Sequence, residues 1–381
     1  METDYSSPFG PLTLLPDAAN PDPNLRAWDA ADDYLLQHMA ATPPPTGARI
    51  AILNDRFGAL AAALAAYRPL SAGDSLVAQL ATRANLSRNQ ISAEQVSLHD
   101  SLFTPDAPLD CLLIKVPKTL ALLEDQLCRY LPHLKPDGMV IGAGMAKDIH
   151  TSTLNLFERI GGPTQTSLAK RKARLIFCQP DASRSVPASP FPSQYAFTEY
   201  GLQLTNHANV FSQARPDIGT RFLLEHMPPT DGDMRILDLA CGNGVLGIRA
   251  GQLNPQAELT FADESFMAIE SARLNVQGNL PQTVRSHFFV SHCLSDVPVQ
   301  AFDLILNNPP FHQQHNVHDG IARRMFKEAY AALRPGGKLV VVANRHLGYH
   351  VRLKQLFGHC HVQQSNRKFV ILSATRRDKP T

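Results

Sequence analysis

The sequence predicts an α/β protein made of two similar domains, each with a parallel, doubly wound sheet. Apolar strand-like runs alternate with helical segments in the C-terminal half, and several of these features recur in the N-terminal half. A segment with four prolines and four serines, 179–193, lies at mid-chain. The 381 residues also exceed the length of one ordinary domain. We therefore predict a first domain over 1–178, a linker over 179–193 and a second domain over 194–381.

Strands and helices alternate along the C-terminal half. Short runs rich in Ile, Leu, Val and Phe predict buried strands, and the segments between them predict helices. No hairpin turn is evident between these segments, which favours parallel pairing. In chain order, the predicted elements are strand 235–239, helix 245–253, strand 258–263, helix 265–276, strands 287–290 and 302–307, a helix near 323–333, and strands 338–343 and 369–374.

The N-terminal half repeats four features of the C-terminal half in the same order, after a predicted helix over 28–39 and a Pro-rich stretch. Such order favours duplication of one fold over chance similarity. The matched pairs are 49–60 with 235–246, 110–118 with 303–311, 134–140 with 333–339, and Arg171-Lys172 with Arg367-Lys368, the last pair in each half preceding an apolar strand.

Composition excludes several classes of protein. The chain is 44% hydrophobic and 18% charged with a net charge of +2, which is not typical of a disordered chain or a polycation. No apolar run approaches the ~20 residues of a membrane-spanning helix, and no secretory leader is evident, so we expect a cytoplasmic protein. The six cysteines form no C-x-x-C pair, which predicts buried, reduced thiols.

Histidines near residue 312 do not indicate a metal site. His312, His315 and His318 recur at three-residue spacing, but the preceding Pro309-Pro310 pair predicts an irregular loop, in which this spacing defines no common face. We therefore expect no bound metal.

A glycine-rich loop is the first candidate site. Gly242, Gly244 and Gly247 fit the G-x-G-x-x-G pattern between a predicted strand and helix, and Asp263 ends the next strand. The glycines allow a tight turn and close approach of a ligand, and the carboxylate is placed to accept hydrogen bonds from a ribose. By itself this pattern fits a nicotinamide dinucleotide and S-adenosylmethionine equally well.

The segment Asn308-Pro309-Pro310-Phe311 separates these two alternatives. It follows a predicted strand, so a doubly wound sheet would place it beside the glycine loop. The Asn308 amide oxygen and the Pro309 carbonyl are able to accept the two hydrogens of a planar exocyclic amine, and Phe311 offers a face on which a base can stack. A dinucleotide oxidoreductase would leave this tetrapeptide without a role.

Together, D-x-x-C-G-x-G from Asp238 and N-P-P-F from Asn308 resemble class I S-adenosylmethionine-dependent methyltransferases that act on nitrogen. The segments 209–219, 308–312 and 342–347 look like the bacterial ribosomal RNA guanine-N2 methyltransferases. The segments 28–36 and 114–120 resemble the large-subunit (23S) members, the methyltransferase G family, more than the 16S members. The resemblance implies two tandem Rossmann-like methyltransferase domains, each a mostly parallel seven-stranded sheet, of which the first is degenerate. It also implies N2-methylation of one guanine in 23S rRNA. We expect the protein to be a monomer.

The resemblance assigns roles position by position. Asn308, Pro309 and Phe311 would be catalytic, and an amine that attacks directly needs no covalent nucleophile. Ala240 departs from the glycine common in the family, but it adds only a methyl group, so we expect cofactor binding to survive. The S-adenosylmethionine residues would be Asp238, Ala240, Gly242, Asn243, Gly244, Asp263, Ser291 and His292, and the candidate RNA contacts are Lys115, Lys118, Lys170, Arg171, Lys172, Arg174, Phe211 and Arg345.

Three rival functions remain open at this point. The acceptor amine could belong to 16S rRNA, to DNA adenine or to a protein glutamine, although many enzymes for the last two have Tyr after N-P-P. The glycine loop could serve an oxidoreductase. The chain could also be a non-catalytic RNA-binding assembly factor, an interpretation that the intact second glycine loop disfavours.

Overall fold

The computed structural model describes residues 2–16, 25–181, 183–213, 215–295, 297, 301–310 and 317–377, except the side chains of 317–319. The chain divides into two compact units, Met1–Phe191 and Pro192–Thr381. This division lies inside the predicted linker. Within the described ranges, no helix is long and apolar enough to cross a membrane.

The first unit starts with an antiparallel hairpin and continues as strands that alternate with helices. Its elements are β1 (Asp4–Ser7), β2 (Gly10–Thr13), α1 (Ala30–Ala41), β3 (Ile50–Leu53), α2 (Ala59–Ala63), β4 (Leu70–Gly73), α3 (Leu76–Arg88), β5 (Ser97–Asp100), β6 (Leu109–Lys115), α4 (Leu120–Tyr130), β7 (Leu134–Met145), α5 (Thr151–Ile160), β8 (Thr164–Thr166) and β9 (Ala173–Cys178).

The second unit has the same succession of elements as the first. They are β10 (Ser193–Phe197), β11 (Leu202–Asn206), α6 (Ile218–Glu225), β12 (Arg235–Leu239), α7 (Val245–Leu253), β13 (Glu258–Asp263), α8 (Phe266–Asn279), β14 (Ser286–Val290), β15 (Phe302–Asn307), α9 (Val317–Ala332), β16 (Leu333–Asn344), α10 (Tyr349–Phe357), β17 (His361–Ser365) and β18 (Phe369–Thr375).

Both units contain a seven-stranded, mostly parallel sheet of equivalent strand order. The orders are β5-β4-β3-β6-β7-β9-β8 and β14-β13-β12-β15-β16-β18-β17. In each order the first five strands pair in parallel, and the sixth is antiparallel to both of its neighbours. The expectation that hairpins are lacking is therefore wrong: β1–β2 and β10–β11 are hairpins, and β17–β18 pair antiparallel.

Helices cover both faces of the second sheet. Alternate residues of β12 point to opposite sides: Ile236 packs into the apolar cluster that contains residues of α6, α7 and α8, whereas Leu237 packs into the cluster that contains residues of α9 and α10. The first sheet is covered in the same way, by α1 to α3 on one face and α4 and α5 on the other. Strands buried on both faces explain the continuous apolar runs of the sequence.

The predicted linker packs against the first unit. Its described residues form no helix or strand before Ser193. Ser189 Oγ donates to Asp125 Oδ1 over 2.6 Å, and Arg184 donates to the carbonyl of Glu158 over 3.2 Å. The six cysteines carry free thiols, and all except the half-buried Cys360 are buried, as predicted.

Candidate active site

The candidate site lies at the carboxyl edge of the second sheet, where the strand order reverses. Leu239, the last residue of β12, pairs with Ala262 of β13 on one side and with Asn307 of β15 on the other. The loop after β12, Asp263 and Asn308 therefore meet at one edge. In open α/β sheets ligands bind at such a reversal, and the sequence predicted this grouping.

The glycine loop has the left-handed backbone conformation at three positions. The φ angles are +56° at Ala240, +53° at Gly242 and +79° at Gly244. A Cβ on Gly242 would meet no atom of the described residues within 4 Å, so these residues leave this side of the loop open. A Cβ on Gly244 would lie 3.0 Å from Cβ of Ala272, so that glycine allows close packing on α8. Glycine is favoured at 240 because L-residues are strained at positive φ.

Asp238 is a buried carboxylate, and one of its oxygens has no partner among the described residues. Its Oδ2 accepts a hydrogen bond from the Gly247 amide over 2.9 Å. Its Oδ1 is buried and has no hydrogen-bond partner within the described ranges. Burial raises the pKa of Asp238 to about 8, and the charge of Asp263 adds to this effect. An unpaired buried carboxylate oxygen of this kind suits a cationic or N–H-bearing ligand.

The Asp263 carboxylate hydrogen-bonds to the glycine loop and to the start of α8. Its Oδ2 accepts from the Gly242 amide over 2.9 Å, and its Oδ1 accepts from the Ser265 amide over 3.0 Å. The side chain is half-buried. Asp263 therefore holds the glycine loop in addition to the ribose-binding role expected from the sequence.

The loop after β14 brings Ser291 and His292 to the same edge. The Ser291 amide donates to the Asp263 carbonyl over 2.8 Å, which keeps the serine at the end of the neighbouring strand β13. Ser291 Oγ is buried with no partner in the described part of the chain. His292 is contacted from α9, where Arg324 Nη1 lies 3.1 Å from its Nδ1.

Helix α9 hydrogen-bonds to the loop after β14 through Arg324 and Glu328. The sequence predicted a helix here, but no sequence pattern indicated these contacts to the loop. Arg324 Nε donates to Glu328 Oε1 over 2.6 Å, and Glu328 Oε2 accepts from the Leu294 amide over 2.6 Å. The spacing of four residues between Arg324 and Glu328 is the signal that the sequence offers, and it is typical of any helical ion pair.

The side-chain amide of Asn308 is hydrogen-bonded through its nitrogen, and its oxygen has no partner among the described residues. Its Nδ2 lies 2.9 Å from Thr220 Oγ1 and 3.5 Å from Asp217 Oδ2. Its Oδ1 is buried and accepts no hydrogen bond from the described residues. Pro309 is buried beside it, whereas Phe311, the third predicted catalytic residue, lies outside the described residues, as do His312 and His315.

Asn275 of α8 connects the hairpin β10–β11 to the glycine loop. Its Nδ2 donates to the carbonyls of Asn243 and Thr205, over 3.0 Å in each case, and its Oδ1 accepts from the Thr205 amide over 2.6 Å.

Phe211, a candidate RNA contact that follows this hairpin, is 57% exposed.

Sequence reasoning missed Asn275, although the first unit contains its counterpart. Asn85 of α3 makes the same set of contacts, to the carbonyl of Phe57 and to the backbone of Leu15. An asparagine occurs at the equivalent position of the equivalent helix in both units. This recurrence is the sequence signal from which Asn275 could have been identified.

In the first unit, side chains of the corresponding loop make contacts within the loop itself. Asp55 stands where Cys241 stands in the second unit, and its carboxylate accepts hydrogen bonds from three backbone amides at the start of α2, those of Gly58, Ala59 and Ala61. Arg56 replaces Gly242 and lies with its guanidinium 4.8 Å from the centroid of the Phe57 ring.

In the first unit, Lys115 occupies the position that Asn308 has in the second unit. In the first sheet Ile114 of β6 pairs with Leu53, and in the second sheet Asn307 of β15 pairs with Leu239. Lys115 follows Ile114 directly, as Asn308 follows Asn307. The two side chains therefore have the same register in their sheets.

The ammonium of Lys115 is already engaged by carboxylates. Its Nζ lies 2.7 Å from Asp29 Oδ1 and 2.6 Å from Asp32 Oδ1, and its side chain is 12% exposed. Burial opposes the charge, but Asp32 and Asp29 raise the pKa of Lys115 above its ordinary value. These ion pairs neutralise the charge of Lys115 within the fold and compete with an RNA phosphate for its ammonium, so the expected RNA contact of Lys115 stays a prediction.

The other candidate RNA contacts are exposed. Arg171 forms an ion pair with Asp33 over 3.1 Å, and Lys170 contacts Gln37. Arg345 donates to the carbonyl of Asn366 over 3.2 Å. The basic residues with exposed side chains are Lys118, Lys170, Arg171, Lys172, Arg174 and Arg345.

Among the described residues, this edge shows neither a thiol nucleophile nor a metal cluster. Burial raises the pKa of the Cys241 thiol well above its ordinary value, so Cys241 is a packing residue. The described residues contain no group of three or more His, Cys, Asp or Glu side chains able to hold a metal ion. What the site does offer is a loop open to a ligand, buried acceptor oxygens at Asp238 and Asn308, and the buried hydroxyl of Ser291.

Comparison with known proteins finds matches for both halves of the chain. Residues 2–182 match the family described as the RLMG N-terminal domain, and residues 201–373 match the methyltransferase small domain. The chain is 47% identical over 382 residues to the ribosomal RNA large subunit methyltransferase G of Streptomyces avermitilis, a match that covers 99% of this chain and 100% of the relative. It is 48% identical over 355 residues to the Aeromonas salmonicida protein of the same name, with 93% and 94% covered.

A solved structure shares the fold over the full length. The T. thermophilus 16S rRNA N2 G1207 methyltransferase, RsmC, in complex with AdoMet and guanosine, matches with a TM-score of 0.76 at 20% identity, covering 98% of each chain.

The fold and the site thus define an α/β methyltransferase. The chain belongs to the ribosomal RNA large subunit methyltransferase G family, which confirms the family resemblance stated from the sequence.

Proposed function

We propose that this enzyme transfers a methyl group from S-adenosylmethionine to the exocyclic N2 amine of one guanine in 23S rRNA. The observation that carries the proposal is Asn308: its amide nitrogen is anchored, while its buried oxygen accepts no hydrogen bond from the described residues. A fixed, unpaired acceptor at the edge of the sheet suits an NH2 group. The names of the relatives support ribosomal RNA of the large subunit as the substrate.

The residues at the edge of the second sheet fit the proposed cofactor. The buried Asp238 Oδ1 would accept from its ammonium, and the open side of Gly242 admits its methionine end. Asp263 would accept from the ribose hydroxyls, and Ser291 and His292 would lie near the adenine. When bound, S-adenosylmethionine supplies an electrophilic methyl group.

Asn308 and Pro309 would orient the acceptor amine. The two carbonyl oxygens would accept one hydrogen each, so that the nitrogen lone pair is directed out of the plane of the base. The N2 lone pair of guanine is delocalised into the ring, and two acceptors would favour its pyramidalisation as the new N–C bond forms. Phe311 would stack on the base.

The two units would have different roles. We assign 194–381 to catalysis, 1–178 to RNA recognition without a cofactor, and 179–193 to the connection between them. In the first unit, Asp55 caps α2 and Lys115 is held in an ion pair, so neither a cofactor-binding loop nor an amine acceptor is offered by these described residues. Exposed basic residues such as Lys170 and Lys172 would meet phosphates, which predicts salt-dependent RNA affinity. We further propose a cytoplasmic monomer.

The 16S activity is the second candidate. RsmC shares the whole fold but only 20% of the sequence, whereas relatives with the large-subunit name are 47–48% identical over nearly the full chain. An oxidoreductase gives Asn308 no role. A non-catalytic assembly factor would not need the unpaired Asn308 oxygen.

The test is a transfer assay with labelled S-adenosylmethionine and rRNA that lacks modification. We expect label in N2-methylguanosine at one position of 23S rRNA. Label only in 16S rRNA would contradict the proposed substrate, and RNA binding without any label would favour an assembly factor. The matched control is the Asn308→Ala enzyme, which should leave both RNAs unlabelled.

A further inference from the structure

We propose that Asp217 and Thr220 are positioning residues that select the orientation of the Asn308 amide. This inference rests on the proposed function, since it concerns how Asn308 is prepared for the acceptor amine. Both side chains come from the start of α6, about ninety residues before Asn308, and both contact its Nδ2.

An asparagine amide has two ends of similar shape and opposite polarity. Thr220 Oγ1 is able to donate or accept, so the 2.9 Å contact alone would tolerate either end of the amide. A carboxylate only accepts, and Asp217 Oδ2 faces the same end at 3.5 Å. The reverse orientation would bring the amide oxygen against the carboxylate. Asp217 therefore selects the NH2 end, and Thr220 fixes its position.

The start of α6 holds these two side chains in place. Asp217 Oδ2 accepts from the amides of Gly219 and Thr220, over 2.9 and 3.2 Å, as the N-cap of the helix. A Cβ on Gly219 would lie 2.9 Å from Asp217 Oδ2 and 3.1 Å from the ring of Phe369, so glycine allows this close approach. Thr220 is buried.

The first unit shows the same arrangement with different chemistry. Asp29 is the N-cap of α1 and Asp32 is its third residue, the positions that Asp217 and Thr220 hold in α6. These two carboxylates form ion pairs with Lys115, the counterpart of Asn308. In both units, the N-cap and third residues of this helix therefore hold the side chain at the end of the central strand. In the first unit they neutralise a cation, and in the second they leave an acceptor oxygen available.

The test compares three variants of the full chain. Asp217→Asn keeps an efficient helix cap but loses the acceptor-only group. Thr220→Val removes the hydroxyl while keeping the shape, and Thr220→Ser restores the hydroxyl. The measurements are kcat and KM for methyl transfer to 23S rRNA, binding of S-adenosylhomocysteine, and the melting temperature. Ser75→Ala, which removes the N-cap of α3 in the first unit, controls for the loss of a helix cap.

We expect kcat to fall roughly 10- to 100-fold in Asp217→Asn and Thr220→Val, the scale for misplacing a positioning group. Thr220→Ser and Ser75→Ala should keep near-normal kcat, and affinity for S-adenosylhomocysteine should change less than about twofold in every variant.

Two results would overturn the inference while leaving the proposed function intact. One is normal kcat in both Asp217→Asn and Thr220→Val. The other is a loss of activity that follows loss of S-adenosylhomocysteine binding, because the two residues would then support the cofactor site. A wild-type enzyme that labels no rRNA would instead refute the proposed function, and this inference with it.

Discussion

Replacing Asp238 with Asn should stabilise the ligand-free protein at alkaline pH and weaken its cofactor binding. Asp238 is buried, and burial raises its pKa to about 8. The Gly247 amide donates to one carboxylate oxygen, and an asparagine oxygen would accept the same hydrogen bond. The substitution therefore mainly removes the charge that forms when Asp238 loses its proton.

Proton binding sets the sign of this effect. Between the ordinary aspartate pKa, about 4, and the folded-state pKa, the folded protein binds a proton at Asp238 that the unfolded chain does not. Stability from this group is therefore present at low pH and falls as the pH rises to about 8. At about 1.4 kcal/mol per pH unit, the upper limit is ~5 kcal/mol, and relaxation of the site should reduce this to ~1–3 kcal/mol. For a cooperative unit of the size of Pro192–Thr381, which contains Asp238, the melting temperature should rise by at least ~2 °C.

The assay is thermal unfolding without ligand at pH 5 and pH 8.5. Asp238→Asn should melt above the wild type at pH 8.5 and close to it at pH 5, while the exposed control Asp231→Asn should match the wild type at both. Calorimetry should show S-adenosylhomocysteine bound about 10- to 150-fold more weakly, the scale for one charge-assisted hydrogen bond. Equal melting temperatures at pH 8.5, or unchanged affinity, would refute this account of Asp238.

Three further predictions concern other residues. Asp263→Ala should weaken S-adenosylhomocysteine binding by at least about tenfold in calorimetry, because the ribose and the Gly242 amide both lose an acceptor; tight NADH binding in the same assay would instead support an oxidoreductase. Ala240→Gly should raise the free energy of unfolding by about 0.5–1 kcal/mol in urea, because φ is +56° there, and a decrease would contradict the assigned strain. Combined alanine substitution of Lys170, Lys172 and Arg174 should weaken RNA binding and flatten its salt dependence, without changing S-adenosylhomocysteine affinity; unchanged RNA affinity would exclude this basic segment as a contact.

Much of the second sheet could be predicted because its strands are buried on both faces. The predicted bounds of β12, β13, β15 and α7 match the structure, since continuous apolar runs are interrupted there by glycine or proline. Strand β17 was missed because all five of its residues are exposed, so no apolar alternation marks it. The hairpin β10–β11 was also missed, although Gly201, with φ of +63°, ends the short helical turn between its strands.

The parts of the candidate site that lie directly beside a predicted strand in the sequence could be predicted. The glycine loop, Asp263 and Asn308 each follow or end a recognisable strand, and sheet topology brings them together. Thr220 and Arg324 could not be predicted, because their contacts to Asn308 and His292 depend on how helices pack across the sheet. The ion pairs of Lys115 could not be predicted for the same reason: its carboxylate partners lie more than eighty residues away in the sequence.

The most direct test of the proposed catalytic site is a paired measurement on Asn308→Ala. Methyl transfer to 23S rRNA and binding of S-adenosylhomocysteine should be measured on the same preparations of the wild-type and variant enzymes. In the proposed mechanism Asn308 Oδ1, which accepts no hydrogen bond from the described residues, accepts one from the acceptor amine. We therefore predict that transfer falls more than ~100-fold while affinity for S-adenosylhomocysteine stays within about twofold. Near-normal transfer by the variant would contradict the assignment of Asn308 as the residue that orients the amine.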